Sequence, residues 1–199
     1  MRLIPLLLLL LLLAGCSSAP PRQLPNDSQL AWQERQYRLA SLTDWRLTGR
    51  LAIQSGHEAW HARISWAQDS QNYTIELIAP LGQGSLRLDG DNRTVTLLTD
   101  KGESVSATDP GALLQQQFGW RVPVAALRYW VLGVPAPGAR QEQLDEYGRL
   151  SQLEQGEWKI QFLDYRQHQG LELPGRVFVN NHQAKVKLVI SAWEFGTAP

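Results

Sequence analysis

Cysteine is nearly absent from this chain: one residue, Cys16, in 199. A single cysteine excludes an intramolecular disulfide and a zinc site built on thiolates. Net charge is absent too, with 19 Lys and Arg against 19 Asp and Glu. A nucleic-acid binder needs a basic face for phosphates, so no nucleic-acid partner is expected. The same balance predicts a surface without a strong field for anionic lipid. Histidine is scarce, with four residues, His57, His61, His168 and His182. His57 and His61 have the spacing of a helical metal pair. The surrounding alternation is that of a strand, however, which holds them about 13 Å apart, too far to share one ion. Gly82-Gln83-Gly84 lacks a phosphate-loop pattern and a following helix. Acidic pairs such as Asp89 and Asp91 fall in turns, where Asp is favoured for local reasons. No Ser–His–acid cluster emerges by spacing. No catalytic activity, cofactor or metal is therefore expected. Hydrophobic residues make up 43% of the chain, too many for a disordered one.

What is abundant comes first in the chain. Arg2 is followed by Leu3-Ile4-Pro5, the leucine run Leu6 to Leu13, and then Ala14-Gly15-Cys16. A basic residue, an apolar stretch and a small-residue end form a secretory signal. As a helix, Leu3 to Ala14 would cover about 18 Å, short of a bilayer core of about 30 Å. Leu13-Ala14-Gly15-Cys16 resembles the bacterial lipobox. That resemblance implies cleavage before Cys16 and acylation of its sulfur and new amino group. Several acyl chains give stable attachment, whereas one binds reversibly. Ser17 follows the cysteine where an aspartate commonly retains lipoproteins in the inner membrane, so the outer membrane is favoured. The expected organisation is a signal peptide over 1–15, a lipid-anchored flexible tether over 16–26, and one domain over 27–199, facing the periplasm.

The rest reads as mostly strand. Ser28 to Leu42 has helical spacing, with Trp32, Leu39 and Leu42 able to share a face. From Trp45 onward the period changes to two. Trp45–Ile53, Glu58–Trp66 and Tyr73–Ala79 alternate apolar and polar residues, and shorter strands follow at Leu86–Leu88, Val95–Leu97 and Ser104–Ala107. Asp109-Pro110 starts a helix that Gly119 stops, and a second short helix runs from Pro123 to Leu132. Strands return at Gln143–Tyr147, Arg149–Leu153, Glu157–Leu163, Arg176–Val179 and Ala184–Trp193. About eleven strands with one wet face predict a mainly β fold: a single curled antiparallel sheet, an incomplete barrel. The two central helices would lie across its concavity as a lid, beside an N-terminal helix.

Among the eight tryptophans, Trp45, Trp60 and Trp66 fall on the apolar phase of their strands. That phase favours core or cavity lining over an exposed sugar-stacking platform. Ala79-Pro80-Leu81-Gly82 fits a tight turn that places Leu81 at its tip.

Taken in order, several features complete a pattern. They are the lipobox, Trp45 with Gly49-Arg50, Trp66, Tyr73 leading to Pro80-Leu81-Gly82, and Gly119-Trp120. Pro123-Val124, Leu127, Tyr129-Trp130, Leu132-Gly133-Val134-Pro135, Gly148-Arg149-Leu150, Trp158 and the Lys185-to-Trp193 strand complete it. Along nearly all of the chain this resembles the LolB family. The resemblance implies an outer-membrane receptor that takes the acyl chains of lipoproteins from the periplasmic carrier LolA and inserts them into the inner leaflet of the outer membrane. It implies an unclosed barrel with an apolar cavity, and a membrane-insertion loop at Pro80, Leu81 and Gly82. Cavity candidates are the apolar-phase residues Leu47, Leu51, Ile53, Trp60, Ile64, Trp66, Ile75, Leu77, Leu86, Leu88, Val95 and Leu97. Lid candidates are Leu113, Leu114, Phe118, Leu127, Trp130 and Val131. For each, dry core is the competing assignment. A monomer is expected. The alternative function is a structural or carbohydrate-binding, peptidoglycan-associated outer-membrane lipoprotein.

Overall fold

A computed structural model describes residues 26–82 and 84–196. The expected signal, Cys16 and all but the last residue of the tether lie outside the described residues. Helix α1 (Asn26–Ala40) leads into strands β1 (Asp44–Ser55), β2 (Glu58–Asp69) and β3 (Asn72–Ile78). A single turn (Pro80–Gly82) precedes β4 (Ser85–Gly90), β5 (Val95–Thr99) and β6 (Ser104–Ala107). Helices α2 (Pro110–Phe118) and α3 (Val124–Trp130) follow. Then come β7 (Arg140–Leu144), β8 (Leu150–Gln155), β9 (Trp158–Leu163), β10 (Arg166–His168), β11 (Leu171–Leu173), β12 (Arg176–Asn180) and β13 (Ala184–Phe195).

Eleven strands form one sheet in the order β6-β5-β4-β3-β2-β1-β13-β12-β9-β8-β7. The sheet is antiparallel throughout and its two edges, β6 and β7, do not pair, so the barrel is open. The eleven strands agree with the number expected from periodicity. The structure adds the small hairpin β10–β11, two three-residue strands too short to carry a period. It also begins β7 at Arg140, and α1 at Asn26 rather than Ser28. His57 lies in the turn after Gly56 rather than on the strand that holds His61.

Strands β1 and β13, two of the three longest, pair through the middle of the sheet, so the chain closes on itself there. Their register slips between Thr48 and Gly49, a bulge that bends and twists the ladder. Gly49 is required at this bulge, because any Cβ there would collide with the Val189 carbonyl. Alternation does the rest: on β9 the pattern runs buried–exposed without a break. The apolar phases face one continuous core that holds Leu47, Val95, Leu97, Leu150 and Val177 almost wholly out of water.

Candidate functional site

The two central helices form where their caps allow. Asp109 accepts the Ala112 amide at 2.5 Å, Pro110 opens α2, and Gly119 ends it in the left-handed conformation at φ 70°. Because α2 stops there, the chain turns through Trp120 and Val122 into α3. Both helices and this turn lie over the concave face of the sheet.

Between lid and sheet is a void of about 50 Å³. Its floor spans Leu51 and Ile53 on β1, Ile64 and Trp66 on β2, Ile75 and Leu77 on β3, and Leu88 on β4. It continues across β1 to Val177 and Val179 on β12 and Val186 and Leu188 on β13. Strands on opposite sides of β1 reach one void, which requires the sheet to curl. The roof is Leu114, Trp120, Val122, Val124, Leu127 and Val131. Among the described residues, no charged one lines it. A volume this small holds only a few water-sized bodies, and an apolar cavity stays dry.

The candidates from sequence divide by position. Leu51, Ile53, Ile64, Trp66, Ile75, Leu77 and Leu88 line the void, as do Leu114, Leu127 and Val131 of the lid. Leu47, Val95, Leu97, Leu113 and Trp130 are buried in the surrounding core instead, and Leu86 is half-buried on β4. Alternation tells which face a side chain takes but not where along the curl the void falls. Strand β5 is beyond it, and Leu47 sits opposite Trp66 and Trp193, beside the tryptophan cluster. Trp60 and Phe118 each pack against Trp120 in a tilted arrangement, with ring centres 4.9 Å apart. The cavity and lid candidates read from sequence do not include Trp120, Val122, Val124 or the β12–β13 residues, although Trp120, Val124 and the last strand belong to the family pattern. The period-two signal at Val177/Val179 and Val186/Leu188 was there to find.

The lid is held differently at its two ends. At the front, Ser55 Oγ donates to the Gly119 carbonyl at 2.9 Å, and the other contacts described are apolar or aromatic. At the rear, buried Gln155 accepts from Trp130 Nε1 at 2.9 Å and from the Ala136 amide at 3.0 Å, and donates to the Ala136 carbonyl at 2.6 Å. A wider cleft of about 480 Å³ abuts the void, sharing Trp66 and Val124. It contains Tyr73, whose phenol is pushed up to about 12 by burial, with Asp109 and Asp91 adding to the effect. That hydroxyl therefore stays protonated and neutral at physiological pH.

Seven of the eight tryptophans are buried and Trp60 is half-buried, which removes the exposed platform that sugar stacking needs. Trp45 packs against Trp66 and Trp193 with ring centres 5.4 Å apart in each case.

At the opposite pole of exposure is Leu81, 95% accessible at the tip between β3 and β4. The loop closes where the Ala79 amide donates to the Gly84 carbonyl at 3.0 Å. Leu81 itself is left-handed, at φ 55°. A non-glycine residue there costs about 1–2 kcal/mol. Among the described residues, no helix is long and apolar enough to cross a membrane.

A family model described as Outer membrane lipoprotein LolB matches residues 43–193. The chain is 43% identical to the Outer-membrane lipoprotein LolB of Nitrosococcus oceani over 197 residues, covering 98% of each chain. It is 35% identical to the protein of the same name from Stutzerimonas stutzeri over 189 residues, covering 94% of this chain and 92% of that one. Among solved structures, a LolA superfamily protein from Nitrosomonas europaea superposes with a TM-score of 0.55 at 10% identity, covering 88% of this chain and 96% of that one. That likeness is one of fold.

Proposed function

The chain belongs to the LolB family, an outer-membrane lipoprotein receptor of the Lol pathway, and from that premise we propose that the void beneath the lid is where lipoprotein acyl chains are received. The observation that carries this reading is the all-apolar lining shared by a curled sheet and a lid tied by few polar contacts. At about 50 Å³ the void is the closed state, so cargo enters only as the lid lifts.

The reaction needs no covalent step. Exposing acyl chains to water costs about 0.8 kcal/mol per CH₂, so free diffusion between membranes is prohibitive. Cargo passes instead from one apolar cavity to another. The donor in this scheme is the carrier LolA. Direction follows from rising affinity, with the carrier weaker than this receptor and the receptor weaker than the bilayer. Cys16 supplies the anchor that keeps the body beside the outer membrane.

Leu81 serves the last step. Its exposure and its strained backbone mark a residue displayed at a cost to the fold. Burying one leucine in a bilayer returns about 1.5–3 kcal/mol, enough for transient contact but not for anchoring. Replacing Leu81 with Glu tests this. The variant should fold and accept cargo from the carrier but fail to release it into vesicles, because a charge enters hydrocarbon at high cost. Normal insertion by that variant would remove the loop from the mechanism.

A further inference from the structure

The wet face of the sheet next to the Leu81 loop carries a cluster of basic side chains. Arg50 on β1 stands directly across from Arg63 on β2. One pair further along, Ala52 is flanked by His61 on β2 and Lys187 on β13. All four side chains are exposed. Arg50, Arg63 and Lys187 make no ion pair with any described residue; Lys187 sits over the Phe178 ring at 5.7 Å. The nearest carboxylate on this face, Glu76, is already held by Arg87 at 3.0 Å. Asp100, the acid closest to the loop, lies on its other side, beside Gly84 and beyond β4.

Arg50, Arg63 and Lys187, with His61 beside them, line a groove of about 690 Å³ whose rim is the loop itself, with Pro80, Leu81 and exposed Ile78. Like charges directly opposite on neighbouring strands destabilise a sheet, so the Arg50–Arg63 pair weakens the fold that carries it. The chain is neutral overall, yet this positive cluster adjoins Leu81, the most exposed leucine among the described residues. An apolar tip above a cationic flank matches the two layers of a bilayer surface, hydrocarbon beneath phosphate.

We propose that this groove binds the phosphates of anionic phospholipid headgroups and so sets the body on the membrane with Leu81 pointing inward. The proposal rests on Leu81 meeting a bilayer, and it adds a lipid preference that the loop alone does not impose. It also corrects the surface expected from net charge: the mean is zero while the local field is positive.

The test uses the chain carrying Cys16→Ala, so that no acyl anchor contributes, with vesicles of phosphatidylethanolamine and phosphatidylcholine, with or without phosphatidylglycerol. Binding should be tighter with phosphatidylglycerol, and added salt should erase the difference. Each cation removed should weaken binding to the anionic vesicles about five-fold, so Arg50→Gln with Arg63→Gln should weaken it about 25-fold. That double variant should melt no lower than the parent, since it relieves a like-charge pair. Binding to the neutral vesicles should be unchanged. Equal binding of the parent chain to both vesicle types, or of the double variant and parent to the anionic ones, overturns the proposal. So does competition by inorganic phosphate at matched ionic strength, which would make the groove a free-anion site. Loss of cargo transfer from the carrier in the absence of vesicles would make it a protein-docking face and overturn the proposal equally. Leu81→Gln, which adds no charge at the rim of the groove, separates the two readings: it should lose insertion yet keep the preference for phosphatidylglycerol. Normal insertion by Leu81→Glu would defeat the loop reading instead.

Discussion

Two helical attachments sit on the same sheet and are fastened in opposite ways. Helix α1 is tied by directional, polar contacts. Trp32 Nε1 donates to Glu142 at 2.9 Å, Ser28 Oγ donates to the Glu146 carbonyl at 3.2 Å, and Arg35 donates to the Glu172 carbonyl. It also lies so close to Gly148 that a Cβ there would meet the Ser28 carbonyl and the Trp32 amide. Arg35 is buried enough that desolvation pulls its guanidinium below its ordinary value, against the opposing pull of Tyr165 and Glu172. The lid of α2 and α3 makes few such contacts. It covers the sheet with leucine, valine and tryptophan, and its polar ties are Ser55 at the front, Gln155 at the rear and a long, exposed bond from Arg128 to Gln71 at 3.5 Å. Hydrogen bonds fix a geometry, whereas apolar contact is non-directional and can be exchanged for contact with an acyl chain. The difference separates a wedge that holds the fold from a roof that can lift about its Gln155 end.

The comparison can be broken at each attachment. Trp32→Ala should cost the most, about 3–5 kcal/mol of stability, by removing a buried ring and leaving Glu142 short of a donor. Uptake of a fluorescent acyl probe by the fraction still folded should be unchanged. Reduced affinity in that fraction would make α1 part of the binding machinery. Gln155→Leu orphans Trp130 Nε1 and both polar groups of Ala136, for about 3 kcal/mol in chemical denaturation. Probe entry should become faster, because the rear tie is gone. A slower entry would mean that Gln155 helps the lid open. Val179→Ile has the smallest effect, adding one methylene toward the void. It should raise stability by about 0.8 kcal/mol while weakening probe binding. A loss of stability would show that the void has no room and that the site is ordinary core.

Most of the sheet was legible because an open antiparallel sheet with one wet face writes a period of two into each strand. The lid's limits were legible for a different reason, since Asp109-Pro110 and Gly119 encode caps rather than burial. What remained out of reach has a common physical origin. Alternation at Val95 and Leu97 is as clean as at Ile64 and Trp66, yet only the latter pair lines the void. The distinction depends on where the sheet curls, set by long-range pairing of β1 with β13, which no local pattern carries. Trp120 and Val122 were hidden because they lie in the turn between helices, where there is no period to read. Net charge is blind in the same way: it sums over the surface and does not show that Arg50 stands across from Arg63.

The central claim is that cargo enters because the lid leaves the sheet. In a chain carrying Cys16→Ala, cysteines at Ser55→Cys and Gly119→Cys can be joined through a short, reductively cleavable bridge at the lid's front tie. A Cβ at Gly119 meets open space, and the left-handed backbone there, at φ 70°, adds a strain of about 1–2 kcal/mol that the bridged and reduced forms share. Acyl-probe uptake should be lost in the bridged protein and return to the level of the unbridged one on reduction. Equal uptake with the bridge intact would contradict a moving lid and place the route of entry elsewhere.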